Sequence, residues 1–115
     1  MLVCGSRTWS DYQAVFNRLA RLPEGTTIVH GGASGADALA GNAARALGFT
    51  EHVFPADWDT YGKSAGYRRN QQMIDSGVDL VIAFHRGKSR GTQHTIDLAV
   101  RYVLPLEVHE WPESR

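Results

Sequence analysis

The stretch Ile28–Asp37, with the sequence IVHGGASGAD, constrains this chain more than any other. A short apolar run ends at His30, glycines follow at Gly31, Gly32 and Gly35, and an alanine-rich helical pattern then begins. Glycine lets backbone amides turn toward a ligand, and the positive end of a helix favours an anion. The stretch therefore predicts a strand-to-helix junction that cradles the phosphate or ribose of a nucleotide-like molecule. A tight turn that only packs against its own helix would use the same glycines.

The composition is that of a globular protein without a strong charge bias. The chain has 115 residues, of which 43% are hydrophobic and 21% charged, and its formal net charge is zero. This length fits one domain over residues 1–115, with a modest core. Indiscriminate nucleic-acid binding depends on a basic surface, so the neutral balance argues against a nucleic-acid partner.

Cysteine and histidine usage gives no sign of a metal or a disulfide. Cys4 is the only cysteine, which excludes an internal disulfide and a cysteine-rich metal site. No two of the five histidines have ligand-like helical spacing, so no metal site is predicted, and no cofactor is expected. Long apolar stretches and a signal-peptide pattern are both absent, so we expect a cytoplasmic protein without a membrane partner.

Short apolar runs alternate with helical patterns along the chain. The predicted strands are Leu2–Gly5, Thr26–His30, His52–Phe54, Val78–Phe84 and Leu106–Glu110. The predicted helices are residues 10–21, begun by a capping box at Ser10, then Gly35–Leu47, Ala65–Ser76 and a fourth that opens at Gly91 and Thr92. An apolar stripe on the fourth helix comprises Ile96, Ala99, Val100 and Val103.

This alternation predicts a Rossmann-like three-layer α/β/α fold with a mainly parallel five-stranded sheet. Ligands of such sheets bind beyond the carboxyl ends of the strands, where the strand order reverses. With the order 3-2-1-4-5, the reversal falls between the first and fourth strands. The junction Gly5–Trp9 would then lie beside His85–Thr92, with His30–Asp37 adjacent, which makes Gly5, Ser6 and Arg7 candidate ligand-binding residues.

The basic residues are unevenly placed for a neutral chain. Half of the lysines and arginines lie in one segment, namely Lys63, Arg68, Arg69, Arg86, Lys88 and Arg90. Arg7 joins them if the predicted sheet forms. Such a cluster indicates a discrete anionic ligand rather than a polyanion, and the alternative is an ordinary solvated surface.

A second candidate anion site is Ser89–Thr92. Gly91 leaves room at the backbone, and Thr92 can cap the helix and donate its hydroxyl to a phosphate oxygen. Capping alone would also explain this threonine.

Several polar and aromatic residues around the predicted ligand site have two interpretations each. Ser34 and Asp37 have capping-box spacing, so the carboxylate either serves the helix or bonds ligand hydroxyls. At the start of the third helix, Arg69 could grip phosphate and Asn70 could bond ribose or base. Three aromatic residues, Trp9, Trp58 and Tyr61, either stack on a base or pack in the core.

Two familiar catalytic patterns do not fit. Ser6, His30 and Asp37 suggest a triad, but nothing around Ser6 resembles a nucleophile elbow. The dinucleotide fingerprint is absent, because the first junction lacks its three glycines and the second strand ends in His30 rather than an acid.

Four blocks taken together resemble a known family. In order they are GSRTW, HGGASGAD, PADWDTYGKSAGYRRNQQM, and AF followed by SRGT. They are similar to the YspA-type branch of the SLOG superfamily, which also holds the Lonely Guy phosphoribohydrolases and the DNA-processing protein A fold. The resemblance runs from Gly5 to about Ala99 and implies a Rossmann-like domain that recognises nucleotides or molecules derived from them.

The resemblance also implies roles for single residues. Gly91 and Thr92 resemble the GT of the Lonely Guy phosphate motif, and Arg69 resembles its helix arginine. Where that motif carries a glutamate three residues after its threonine, this chain has Thr95. A carboxylate supports glycosidic cleavage. In this chain Asp37 or Asp57 would have to take the place of that glutamate. The candidate catalytic residues are therefore Asp37 and Arg69, which resembles the helix arginine of the motif.

These observations lead to one hypothesis and two alternatives. The hypothesis is a SLOG sensor or sequestering module that binds a phosphate-bearing nucleotide derivative. Its ligand-binding residues are Gly5, Ser6, Arg7, His30, Gly31, Gly32, Ser34, Gly35, Asp37, Lys63, Arg69, Asn70, Arg90, Gly91 and Thr92. The alternatives are N-glycosidic hydrolysis of nucleoside 5′-monophosphates and binding of single-stranded nucleic acid. Short helices with apolar stripes on a small sheet also suggest a homodimer.

Overall fold

The computed structural model describes residues 1–87 and 89–111, and it contains a five-stranded parallel sheet. The strands are β1 (Leu2–Gly5), β2 (Thr27–His30), β3 (Thr50–Val53), β4 (Val81–Arg86) and β5 (Leu106–Trp111). Their order is β3-β2-β1-β4-β5, so the predicted Rossmann-like order 3-2-1-4-5 is confirmed. The order reverses between β1 and β4, which pair in register from Leu2 opposite Val81 to Gly5 opposite Phe84.

Five helices and one 3-10 turn connect the strands. They are α1 (Tyr12–Leu19), α2 (Ala36–Ala46), α3 (Trp58–Tyr61), the 3-10 turn Gly62–Ser64, α4 (Ala65–Asp75) and α5 (Arg90–Arg101). The short α3 lies where the sequence predicted a polar loop. Asp57 caps it by accepting a hydrogen bond from the amide of Thr60 at 3.1 Å. None of the helices in the described ranges is long and apolar enough to cross a membrane.

Both faces of the sheet are buried. Successive residues of a strand point to opposite faces, so each apolar strand supplies buried side chains to both. On one side the buried residues are Val3, Ile28, Ile82 and Phe84 from the sheet, with Trp9, Val15, Leu19, Ala36, Ala40, Ala43 and Ala44 from the α1 and α2 side. On the other side Leu2, Cys4, Val29, Val81 and Ala83 pack with Met73, Ile74, Val78, Leu98 and Ala99. The layers are therefore α1 and α2, then the sheet, then α4 and α5.

Small residues bring α2 close to the sheet at the end of β1. A Cβ atom at Gly5 would lie 2.5 Å from Cβ of Ala36 and 2.4 Å from the carbonyl oxygen of Phe84. Glycine at position 5 therefore sets how near α2 comes to the strand-reversal point.

Several predicted boundaries and caps were wrong for local reasons. Asp11, not Ser10, caps α1, because its carboxylate reaches the amide of Ala14 at 3.1 Å, while Gln13 bonds Asn17 instead of returning to the cap. β3 begins two residues before His52, since Thr50 pairs with Thr27.

The bounds of β4 and the buried face of α5 also differ from expectation. β4 begins at Val81, where it pairs with both Leu2 and Leu106, and it continues through Arg86. The predicted stripe on α5 was partly wrong. Its buried positions are Thr92, Thr95, Leu98 and Ala99, whereas Val100 is 65% exposed and Val103, beyond the helix end, is 88% exposed.

Candidate functional site

A cavity of about 330 Å³ opens where the carboxyl ends of β1 and β4 meet. We call it the reversal cavity. Its lining residues are Cys4, Gly5, Ser6, Arg7, Thr8, Ala33, Asp37, Arg69, Asn70, Met73, Arg86, Ser89, Arg90, Gly91, Thr92 and Thr95. The three junctions that the strand order predicted to be neighbours, after β1, β2 and β4, all contribute to it. Nine of the fifteen predicted ligand-binding residues line this cavity.

The junction after β1 is tied to the end of β4. The hydroxyl of Ser6 accepts a hydrogen bond from the amide of Arg86 at 2.7 Å and donates to its carbonyl at 3.1 Å. Gly35, which has a φ of 74°, packs on the same turn, where a Cβ would lie 2.4 Å from the carbonyl oxygens of both Ser6 and Arg7. Ser6 and Gly35 therefore hold the walls of the cavity together, and Arg7 lies exposed at its edge.

Asp37 is the buried acid of the reversal cavity, with only 6% of its surface exposed. Its Oδ2 accepts hydrogen bonds from the amides of Gly31 at 3.1 Å and Ala33 at 3.3 Å. The predicted capping box from Ser34 is wrong, because Gly35 is the N-cap of α2 and no side chain caps it. Burial raises the pKa of Asp37 above its ordinary value, although these amides and the nearby charge of Arg69 oppose the shift. Its Oδ1 has no hydrogen-bond donor among residues 1–87 and 89–111.

His30 supports the glycine loop from behind and does not line the cavity. Its Nδ1 accepts a hydrogen bond from the amide of Gly32 at 3.0 Å, which leaves the proton on Nε2 for donation to Glu51. Glu51 also pairs with Arg45. The hydrogen bond from His30, followed by the one from Arg45, lowers the pKa of Glu51.

The amides of the glycine loop are consequently used inside the protein. Gly31 donates to Asp37 and Gly32 donates to His30. The sequence predicted that both would supply backbone donors to a ligand, and in the structure neither amide is free to do so. The physical reason is that the buried side chains of Asp37 and His30 already accept from the N–H groups that a ligand would need.

Arg69 and Asn70 connect α4 to both neighbouring junctions. The Nη1 atom of Arg69 donates to the carbonyl of Gly31 at 2.7 Å, and its Nε donates to Oδ1 of Asn70 at 2.9 Å. A Cβ at Gly31 would lie 2.1 Å from this Nη1, so the glycine makes room for the guanidinium. Asn70 reaches across to α5, where its Nδ2 lies 3.4 Å from the carbonyl oxygen of Gly91 and 3.2 Å from Nδ1 of His94. Burial lowers the pKa of Arg69 somewhat, while Asp37 supports its charge.

The start of α5 forms the opposite wall. Ser89 is its N-cap, since its Oγ accepts from the amide of Thr92 at 3.3 Å and lies 2.9 Å from Oγ1 of Thr92. The predicted cap at Thr92 was therefore three residues too late. A Cβ at Gly91 would meet nothing within 4 Å. Its amide has no acceptor in the described part of the chain, so it is a free donor at a helix N-terminus.

Four arginines, Arg7, Arg69, Arg86 and Arg90, line the reversal cavity, and we call them the arginine rim. Arg86 donates from Nη1 to the carbonyl of Thr8 at 2.9 Å. Two further residues of the predicted basic cluster do not line this cavity. Lys63 is exposed on the 3-10 turn, Arg68 covers the ring of Tyr61, and Lys88 falls outside the described residues.

The floor contains residues that motif reasoning did not assign to a ligand. Thr95 is buried and donates from Oγ1 to the carbonyl of Gly91 at 3.3 Å. Cys4 and Met73 also line the floor, and burial raises the pKa of the Cys4 thiol far above its usual range, which disfavours the thiolate. Asp57 is exposed at the cap of α3 and does not reach this cavity. Within residues 1–87 and 89–111, no three metal-ligating side chains cluster.

A second cavity of about 370 Å³ adjoins the first, and we call it the Trp58 cavity. Gly31, Gly32 and Ser34 line it together with Val53, Pro55, Ala56 and Trp58, and it shares Arg7, Ala33 and Arg69 with the reversal cavity. The other proposed aromatic residues do not line either cavity. Trp9 is 4% exposed and packs edge-on against Phe84.

The fold is that of a Rossmann-like α/β protein, with an arginine-lined cavity at its strand-reversal point. The chain belongs to the YspA, cpYpsA-related SLOG family, whose model matches residues 1–61. It is 41% identical over 115 residues to the Gene 61 protein of Mycobacterium phage D29, and the alignment covers 92% of each chain. No solved structure matches the chain. Membership of the SLOG family indicates a module that binds a nucleotide-related ligand.

Proposed function

We propose that this protein binds a phosphate-bearing nucleotide derivative in the reversal cavity, as a sensor or sequestering module. The observation that carries the proposal is the meeting of three features in one cavity, namely the arginine rim, the free amide of Gly91 and the buried carboxylate of Asp37. Guanidinium groups and helix N-termini both favour phosphate. A carboxylate oxygen without a protein donor favours the hydroxyl groups of a sugar. Together they match a sugar phosphate.

The phosphate lies at the start of α5 in this proposal. Arg90 and the amide of Gly91 face it from the helix, and Arg7 faces it from the β1 junction. The floor of Thr92 and Thr95 closes the cavity below. Ribose hydroxyls donate to Oδ1 of Asp37, whose other oxygen is held by the amides of Gly31 and Ala33. The sequence assigned Arg69 to phosphate and Asn70 to ribose or base. In this proposal both residues also position the surrounding loops.

Titration calorimetry tests the proposal with AMP, ribose 5-phosphate and adenosine. We expect the two phosphorylated compounds to bind and adenosine to bind much more weakly. Arg90→Ala removes a charge-assisted hydrogen bond and should lower the affinity for AMP about 10-fold to 100-fold. Arg101→Ala is the matched control, because Arg101 is exposed at the other end of α5. Equal binding of adenosine and AMP would contradict the proposal.

The same measurements separate this function from binding of single-stranded nucleic acid. That alternative requires oligonucleotides to bind more tightly than mononucleotides, with a steep loss of affinity as salt is added. Mass spectrometry of small molecules released from the denatured, purified protein gives an independent result. A nucleotide in the released fraction supports the proposed function.

A second candidate function is hydrolysis of the N-glycosidic bond of a nucleoside 5′-monophosphate. Asp37 is the observation in its favour, because it is the one carboxylate among the described residues that lines the reversal cavity. In this reaction Asp37, whose pKa is raised, would donate its proton to the leaving base as the N-glycosidic bond breaks, and water would add to the sugar carbon. Chromatography of AMP incubated with the protein would detect free adenine. Loss of this release in Asp37→Asn, with AMP still bound, would establish the reaction.

We also propose that the protein forms a homodimer. Apolar side chains are exposed at the β5 end of the sheet, with Val100 and Val103 at the end of α5 and Val108 on β5. Exposed apolar side chains grouped in this way are typical of protein interfaces. Analytical ultracentrifugation measures the oligomeric state, and a monomer at all concentrations would contradict the proposal.

A further inference from the structure

The Trp58 cavity differs from the reversal cavity beside it in the side chains that line it. Its wall contains the apolar side chains of Val53 and Pro55, together with Ala56. The reversal cavity is lined mainly by arginines, hydroxyl groups and a carboxylate. The two adjoin at Arg7, Ala33 and Arg69, which line both. A ligand that is charged at one end and flat and apolar at the other would span them.

Trp58 is the aromatic residue in this wall. It is 50% exposed, and the edge of its indole lies against Gly66, where an added Cβ would be 3.4 Å from the ring. Tyr61 on the same helix is also exposed, but its ring is covered by the guanidinium of Arg68 at 4.4 Å. Of the described aromatic side chains, Trp58 is the one that lines either cavity. It is therefore the aromatic surface available to an incoming ring.

The backbone around Trp58 offers few free polar groups. The amides of Gly31 and Gly32 donate to Asp37 and His30, and the carbonyl of Gly31 accepts from Arg69. A heterocycle in this cavity therefore finds no hydrogen-bond partner at these atoms. Besides Arg69, the polar side chains of the wall are those of Ser34 and Arg7, so stacking and shape provide most of the recognition there.

We propose that the Trp58 cavity is the base subsite, with the base stacked on Trp58 and with weak discrimination among bases. This inference rests on the proposed function, since it places the sugar phosphate of the same ligand in the reversal cavity. The substrate class is then a nucleoside 5′-phosphate whose base is recognised by its flat surface. Purines have more stacking area than pyrimidines and bind more tightly, while adenine and guanine bind alike.

Calorimetry with ribose 5-phosphate and AMP separates the two cavities. Stacking of one base on an aromatic side chain should make AMP bind about 5-fold to 150-fold more tightly than ribose 5-phosphate. Trp58→Ala should remove this gain and leave the affinity for ribose 5-phosphate unchanged. Trp58→Phe keeps an aromatic face and should keep most of the gain. Tyr61→Ala is the matched control, because it removes an exposed aromatic residue of α3 that lines neither cavity.

The outcomes distinguish failure of this inference from failure of the proposed function. If ribose 5-phosphate binds but AMP binds no more tightly, the base subsite is refuted and the phosphate site stands. Equal weakening of both compounds by Trp58→Ala also refutes it. If neither compound binds the folded protein, the proposed function itself fails. Affinities for GMP within about 3-fold of those for AMP, and weaker binding of UMP, support recognition by stacking.

Discussion

The junctions after β2 and β4 look alike in sequence but differ in how their backbone amides are used. In the β2–α2 junction, the amides of Gly31 and Gly32 bond Asp37 and His30, and a side chain on Gly35 would collide with the β1 turn. In the β4–α5 junction, a side chain on Gly91 would meet open space, and its amide is free. Glycine serves close packing in the first junction and access to a cavity in the second. Glycine content alone does not tell these two roles apart.

The largest expected difference is between Gly35→Ala and Gly91→Ala. Alanine at position 35 needs a φ of 74° and places Cβ 2.4 Å from two backbone oxygens, which should lower the free energy of unfolding by about 3 kcal/mol or more. Alanine at position 91 should change it by less than about 1 kcal/mol. Urea denaturation measures both. Equal losses would mean that the two glycines have the same role.

Next in size is the effect of His30→Phe. Phenylalanine leaves the amide of Gly32 without its acceptor, and Oε2 of Glu51 loses its hydrogen bond from His30. We therefore expect the free energy of unfolding to fall by about 1–3 kcal/mol. His52→Phe is the matched control, since His52 is exposed on β3 and its ring only contacts Phe54. A thermal unfolding series compares the two. A His30 variant as stable as the control would show that the glycine loop does not depend on this hydrogen bond.

A smaller contrast is expected between the two serines of the junctions. Ser89 caps α5, so Ser89→Ala should lower the free energy of unfolding by about 1 kcal/mol. Ser34 is exposed and does not cap α2, so Ser34→Ala should change it by less than about 0.5 kcal/mol. The opposite ranking in urea denaturation would restore the capping box that the sequence suggested at Ser34.

The last expected effect is a slope with pH rather than a single loss. Because the folded protein raises the pKa of Asp37, it binds more protons there than the unfolded chain does. The contribution of Asp37 to stability is therefore greatest below its ordinary pKa of 3.8 and decreases as pH rises through the raised value. Asp37→Asn should remove this decrease, which the difference between the two pH profiles of unfolding measures. A difference that grows more favourable to the wild type with pH would contradict the assignment.

Much of the architecture could be predicted from local patterns. The five apolar runs and the parallel sheet follow from alternation and from the rules for parallel crossovers. The meeting of the Gly5, Asp37 and Gly91 junctions was predicted only on the assumption of the order 3-2-1-4-5. The exact caps could not be predicted, because Asp11 and Ser10 are both good caps and backbone geometry decides between them. Thr95 carried a clear signal as the residue at a glutamate position, but its bond to the carbonyl of Gly91 could not be read from sequence.

The sequence alone determined the order of elements, because apolar periodicity and glycine placement restrict each segment to one kind of structure. It also named Asp37, Arg69, Arg90 and Thr92, which line the reversal cavity. Only the tertiary structure decided which groups remain free to meet a ligand. Hydrogen bonding is a competition between partners that lie far apart in sequence, so the commitment of Gly31 and Gly32 and the freedom of Gly91 appear only once the chain has folded.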